Sequence, residues 1–206
     1  LIVPRIFEPG LCALLVRLYE AQGGVPSGTM VERDGKTVPQ FSGFKSRRDA
    51  DISDPNLRAE LRSRIERRVI PEMHKAFQFR PTRLERYIVA CYDAAEGGHF
   101  NPHRDNTTKG TAHRQFACSI NLNAGEFEGG DLRFPEFGPR TYRPPTGGAV
   151  VFSCSLLHEA TPVRRGKRYA FLPFFYDEAG QKLREANLGH LDFSGAPSPA
   201  RASPAN

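Results

Sequence analysis

Three residues of this chain, His103, Asp105 and His158, have the types and spacing to do metal chemistry. On an extended strand the side chains at i and i+2 share a face, so His103-Arg104-Asp105 directs an imidazole and a carboxylate into one cavity and turns Arg104 away. That pair is a two-toothed clamp. His158, arriving from a distant strand, would complete a two-histidine, one-carboxylate face with three coordination positions open, the donor set that suits Fe(II) reacting with oxygen. The same donors with an open position also describe a hydrolytic zinc centre. Zinc peptidase helices carry His-Glu-x-x-His, which is absent here, so the spacing favours iron.

A His-x-Asp spacing is a weak signal by itself, and its surroundings strengthen it. Tyr92-Asp-Ala-Ala-Glu-Gly-Gly-His-Phe100 precedes the clamp, Phe127-Glu-Gly-Gly-Asp-Leu-Arg-Phe134 lies between the ligands, and Gly147-Gly-Ala-Val-Val-Phe-Ser153 leads into His158. In content and order, residues 86 to 176 resemble the catalytic domain of the prolyl 4-hydroxylase-like family of 2-oxoglutarate- and Fe(II)-dependent dioxygenases. The resemblance implies that His103, Asp105 and His158 are the iron ligands. It implies that Arg168, ten residues after the distal histidine, grips the far carboxylate of 2-oxoglutarate. Collagen-type members have Lys at that place, and here Lys167 stands beside the Arg; a planar guanidinium can bind a carboxylate bidentately. Tyr92 sits where the family often has a cosubstrate-contacting Tyr, with one extra residue before the metal histidine. Asn121, in Ser119-Ile-Asn-Leu-Asn123, occupies a position where some relatives place another such Tyr.

The implied cofactors are Fe(II), 2-oxoglutarate as cosubstrate and O2, with ascorbate as a reductant. The implied reaction releases succinate and CO2 and hydroxylates an unactivated C–H bond. A protein or peptide side chain, proline first, is the expected substrate; a free amino acid or small metabolite is the rival. A jelly-roll binding module without catalysis is a third reading, opposed by the intact triad.

The elements that must hold these residues read as helices followed by strands. Pro9 suits a first helical position, and Leu11, Leu14, Leu15 and Leu18 recur at helical spacing, so an amphipathic helix is expected over 9–22. Residues 23–50 break that period and read as a loop with short extended pieces near a site mouth. Asp54-Pro55 opens a second helix with Leu57, Leu61, Ile65 and Val69 along one side, which Pro71 must end or kink. Strand-like runs follow at 87–92, 116–122, 131–134, 149–153 and 169–176. In the second of these Phe116, Cys118, Ile120 and Leu122 fall on one face and Ser119 and Asn121 on the other. The apolar face suits packing on helices, and the polar face suits an interior that receives a charged cosubstrate. The expected fold is α+β, mainly β: a double-stranded β-helix (jelly-roll) barrel with N-terminal helices on one face. It would form one domain over 1–193, helical to about residue 80 and jelly roll over about 84–178, with a disordered tail at 194–206.

With 206 residues and 39% hydrophobic content, the chain is long enough for one sizeable core. Cys12, Cys91, Cys118 and Cys154 form no Cys-x-x-Cys pair and lie in apolar neighbourhoods, so free buried thiols and a reducing, cytoplasmic setting are expected. No apolar run suits a membrane span and no leader opens the chain, although the start at Leu1 implies a longer gene product. A net charge of +6 permits an acidic partner, but the basic residues are scattered rather than gathered in one patch, so nucleic acid is not expected. His74, His113 and His190 are expected to be solvent-facing or hydrogen-bonded, and His99 to serve at the surface or behind the ligands.

Overall fold

A computed structural model describes residues 1–194, so the expected tail lies, beyond Ser194, outside the described residues. Helix α1, Pro9–Gln22, starts at a proline and ends where Gly23 takes a φ of 67°. It buries Leu11, Cys12, Leu15 and Tyr19. Leu14, expected on that stripe, is 41% exposed. One residue step is about 100° of rotation, which turns Leu14 away from the Leu11–Leu15 line. Helix α2, Pro55–Arg68, is capped by the Asp54 carboxylate, which accepts from the Asn56 amide at 3.0 Å. Pro71 cannot donate a backbone hydrogen bond, so α2 stops and α3, Ile70–Phe77, begins with that proline in its first turn. A last helix, α4, Glu178–Asn187, is capped by Asp177. Among the described residues no helix is long and apolar enough to cross a membrane.

Two main antiparallel sheets carry most of the rest, beside two two-stranded ladders. The larger runs in the order Ile2–Val3, Ala149–Ser153, Phe116–Asn121, Lys167–Phe171, Ile88–Asp93, Arg48–Asp51 and Val25–Pro26, with Phe174–Tyr176 and Arg83–Glu85 branching from it. The smaller runs Thr141–Tyr142, Leu132–Arg133, His158–Ala160, His99–His103 and Lys45–Ser46. Cys118, Ile120 and Leu122 sit in a core with Leu15, Leu61, Ile65 and Met73 of the helices, as the alternation over 116–122 predicts. Leu61 and Ile65 are fully buried there. Truncating Leu61 to Ala would cost about 2–5 kcal/mol. The opposite face of the larger sheet meets the smaller one through Ala117, Val150, Phe152 and Phe174 against Leu132 and Phe134.

The fold is thus mostly β with helices on one face. The two sheets remain separate ladders among the described residues, so the expected closed barrel is absent as a hydrogen-bonded seam. Side-chain packing joins them and leaves a cavity between, lined from both.

Residues 23–50 are more ordered than their composition predicts. Thr29–Arg33 and Lys36–Gln40 form a hairpin, Lys45–Ser46 joins the smaller sheet and Arg48–Asp51 the larger. The turn is Asp34-Gly35 with φ of 50° and 72°, the dipeptide that a two-residue hairpin favours. The 169–176 run is two strands, because Pro173 interrupts the ladder between Lys167–Phe171 and Phe174–Tyr176.

Candidate active site

His103 and His158 are cross-strand partners in the smaller sheet. The Nδ1–H of His103 donates to the Asn101 carbonyl at 2.7 Å, and that of His158 to the Leu156 carbonyl at 3.0 Å. Those bonds fix each tautomer and leave both Nε2 lone pairs aimed at one point. Asp105 closes the set, with Oδ1 3.6 Å from His103 Nε2 and Oδ2 3.3 Å from His158 Nε2. Donor atoms of all three lie within 4.8 Å of one another. The strand stops at His103 and Asp105 belongs to the following turn, a departure from the extended geometry that its spacing suggests. Its amide still donates to the Cys154 carbonyl at 3.0 Å, which keeps the carboxylate on the His103 side. Arg104 does turn away, pairing with Glu136 at 2.7 Å and bonding the Ser155 carbonyl.

The electrostatics fit a cation. Burial opposes ionisation of Asp105, but the charge of His158 and the closeness of both imidazoles outweigh it and hold the carboxyl well below its ordinary value. Burial pulls His103 down, favouring the neutral imidazole that a metal requires. His158 is raised, because Asp105 overcomes the opposing effect of burial. Phe100 stacks on His103 with centroids 3.4 Å apart, and Phe152 lies 4.6 Å from His158, so aromatic rings wall the site. Two imidazoles with free Nε2 and an ionised carboxylate are a suitable donor set for Fe(II).

Arg168 lines the same cavity. It lies opposite Tyr92 on the neighbouring strand and is 4% exposed. Its guanidinium donates to Ser119 Oγ at 2.8 Å and to Asn121 Oδ1 at 3.4 Å, and among the described residues it has no carboxylate partner. Burial lowers its pKa accordingly. Lys167 faces the other way, exposed, with Glu20 at 3.6 Å and Asp93 at 3.8 Å. Asn121 donates to the Pro144 carbonyl at 2.9 Å and turns its oxygen to Arg168, so its contacts steady the guanidinium from outside the cavity lining. Tyr92 does line the cavity, and its hydroxyl accepts from Arg47 at 3.4 Å. Gly130, at a φ of 67°, packs where a Cβ would lie 2.8 Å from Val163 and 3.3 Å from the Arg168 stem, a physical reason for a glycine in that motif.

Sequence reasoning passed over several residues of the wall. Ser119 bonds Arg168, and Lys45, Arg47, Arg86 and Arg114 all line the cavity. The alternation Lys45, Arg47, Asp49 was a legible strand signal, hidden by the polarity of the stretch. His99 is spent on backbone, with ring nitrogens 2.7 Å from the Gly97 carbonyl and 3.0 Å from that of Gly43. His113 is buried against Glu85 at 3.0 Å, and His190 bonds the Gly35 carbonyl at 2.9 Å.

Residues 87–176 match the family described as the 2OG-Fe(II) oxygenase superfamily. Over that stretch the chain resembles a 2OG-Fe(II) oxygenase domain. The stretch contains His103, Asp105, His158, Arg168 and Tyr92. A PKHD-type hydroxylase of Synechococcus sp. (strain JA-2-3B'a(2-13)) is 31% identical over 97 residues, which is 44% of this chain and 42% of that one. A PKHD-type hydroxylase of Pseudomonas putida is 26% identical over 158 residues, 71% of this chain and 67% of that one. The chain thus spans less than half the length of the first curated relatives it matches. In fold, the chain resembles a viral collagen prolyl hydroxylase from Paramecium Bursaria Chlorella virus-1, solved as a 2OG complex. The TM-score is 0.63 at 14% identity, covering 86% of this chain and 95% of that one. A prolyl hydroxylase from Trichoplax adhaerens superposes with a TM-score of 0.61 at 19% identity, covering 89% and 86%. The family's cofactors are Fe(II), 2-oxoglutarate and O2.

Proposed function

We propose that this protein is an Fe(II)- and 2-oxoglutarate-dependent hydroxylase acting on an unactivated C–H bond of a protein or peptide side chain, prolyl first, with release of succinate and CO2. One observation carries the reading: a buried guanidinium, Arg168, without a carboxylate partner among the described residues, in the cavity that also holds the His103, Asp105 and His158 donors. An unpaired buried charge is expensive, and a dicarboxylate cosubstrate would relieve it each time it binds. The two facing sheets we read as the halves of a jelly roll, with α1, α2 and α3 as its support in one domain over 1–193.

His103, Asp105 and His158 would hold Fe(II), and Arg168 would take the far carboxylate of 2-oxoglutarate. When bound, iron and cosubstrate together supply the oxidising power for C–H hydroxylation. The chain's part is to orient and to exclude water. The Asn101 and Leu156 carbonyls aim the imidazoles, Ser119 and Asn121 aim Arg168, and Phe100 and Phe152 keep the ligands dry. Prolyl hydroxylases among the proteins sharing the fold support a prolyl substrate.

The test is 2-oxoglutarate consumption by protein reconstituted with Fe(II), with succinate as product and a screen of peptides and metabolites for the mass gain of one oxygen atom. Iron-dependent succinate is the expected result. Protein that binds Fe(II) and yields no succinate with any member of the screen would overturn the reading in favour of a binding module.

A further inference from the structure

A second cationic cluster lines the same cavity. Asp49 accepts both from Arg47, with two contacts of 2.7 Å, and from Arg86 at 2.9 Å. Lys45 reaches that carboxylate only through Ser27, whose hydroxyl accepts from Nζ at 2.8 Å and donates to Asp49 at 2.6 Å. Three cations therefore share one carboxylate. Apart from Arg168, the other wall guanidinia are already paired, Arg114 with Glu85 and Arg104 with Glu136, both at 2.7 Å. Lys45 also donates to the Gly28 carbonyl at 3.0 Å, so two of its three N–H groups are used and one is left. The next residue, Thr29, lines the cavity with a buried Oγ1 that has no hydrogen-bond partner. The ammonium lies 4.7 Å from the centroid of Phe100, the ring stacked on His103, which puts it one aromatic ring from the iron-site donors.

We propose that Lys45 and Thr29 form a second anion subsite that receives a carboxylate of the molecule to be oxidised. Two unused donors on one cavity wall, one N–H and one O–H, equal in number the two oxygens of a carboxylate; the guanidinia that would complete a phosphate site are committed to Asp49 and Glu85. Burial, then the nearby charge of Arg47, lowers the Lys45 pKa well below its ordinary value, and a carboxylate bound beside it would raise it again. The inference rests on the hydroxylase reading for the identity of the ligand as substrate, and Arg168 remains the cosubstrate's residue.

The experiment uses zinc-loaded protein labelled with 13C at the lysine Cε, saturated with the unreactive cosubstrate analogue N-oxalylglycine so that the Arg168 end is filled. N-acetylglycine and N-acetylglycinamide are then titrated in. The acid should move the Lys45 resonance saturably and the amide should not. Thr29→Val should weaken the acid about tenfold to a hundredfold, while Thr29→Ser retains it. Equal response to acid and amide, or no saturable response to the acid, overturns the proposal. So does a Lys45 resonance that N-oxalylglycine itself shifts while blocking the acid, since Lys45 would then belong to the cosubstrate. If the acid binds at Lys45 but the iron-loaded protein never consumes 2-oxoglutarate, the hydroxylase reading fails and the subsite stands. Turnover with free amino acids, carboxyl-terminal peptides and amidated peptides carrying internal Asp or Glu then separates the sources of the carboxylate. Lys45→Met should abolish the preference for acid over amide in each arm.

Discussion

Arg168 and Tyr92 face each other across neighbouring antiparallel strands, with the guanidinium carbon 5.2 Å from the phenol ring centroid. The ring backs the cation on one side, and Ser119 and Asn121 hold its nitrogens, so the charge is oriented without being neutralised.

That arrangement predicts that Arg168→Ala weakens 2-oxoglutarate by two to three powers of ten while leaving iron affinity nearly intact, since losing one partner of a buried charge pair costs about 3–5 kcal/mol. Arg168→Lys should fall between, keeping the charge and losing the fork. Titration of 2-oxoglutarate into the anaerobic Fe(II) protein, read by its metal-to-ligand absorption band, gives the number. Tight binding by Arg168→Ala would show that another residue holds the carboxylate.

Asp105→Ala should lose stoichiometric iron and turnover yet keep its circular dichroism spectrum. The loss should exceed the roughly 10–100-fold typical of a residue behind the ligands, because Asp105 supplies a donor atom itself. Undiminished activity in this variant would remove Asp105 from the metal site.

Acid stability should depend on Glu85. Burial alone would raise its carboxyl, but hydrogen bonds from His113 and the charge of Arg114 outweigh it and lower the value from 4.5 to about 2. A carboxyl depressed in the folded state stabilises fully above its unfolded value, and that contribution, on the order of 3 kcal/mol, is lost as pH falls from about 4.5 towards 2. Urea unfolding of the parent and Glu85→Gln should therefore differ most at neutral pH and converge as pH falls through that window. A gap that is constant with pH would contradict this account.

All four cysteines are buried and free, as their apolar contexts predict. Burial pushes the Cys12 and Cys91 thiols up to about 11 and raises Cys118 and Cys154 as well. The folded protein should resist alkylation at pH 8, and denaturant without reductant should release four reactive thiols. Two or fewer in freshly prepared protein would indicate a disulfide.

What the amino-acid sequence determined by itself is what depends on neighbours a few residues apart. The helix over 9–22, the proline break at 71 and the two-faced strand at 116–122 follow from periods of two and 3.6 residues and from proline chemistry, so they were legible without a partner. His103, Asp105, His158 and Arg168 stood out because glycine turns and residue order accompany them. Only the tertiary structure decided which charges are paired. Asp49 collects Arg47 and Arg86, Lys45 is left with a hydroxyl and a carbonyl, and Arg168 meets Ser119 rather than an acid. Arg47 and Asp49 are two residues apart, but Arg86, Ser27, Ser119 and Arg168 come from segments far from their partners, and such a contact carries no periodic trace in the sequence. The 23–50 stretch was obscured for a related reason: its strands are held by backbone hydrogen bonds and ion pairs at a polar cavity wall, where the apolar alternation that betrays a strand has no cause to exist.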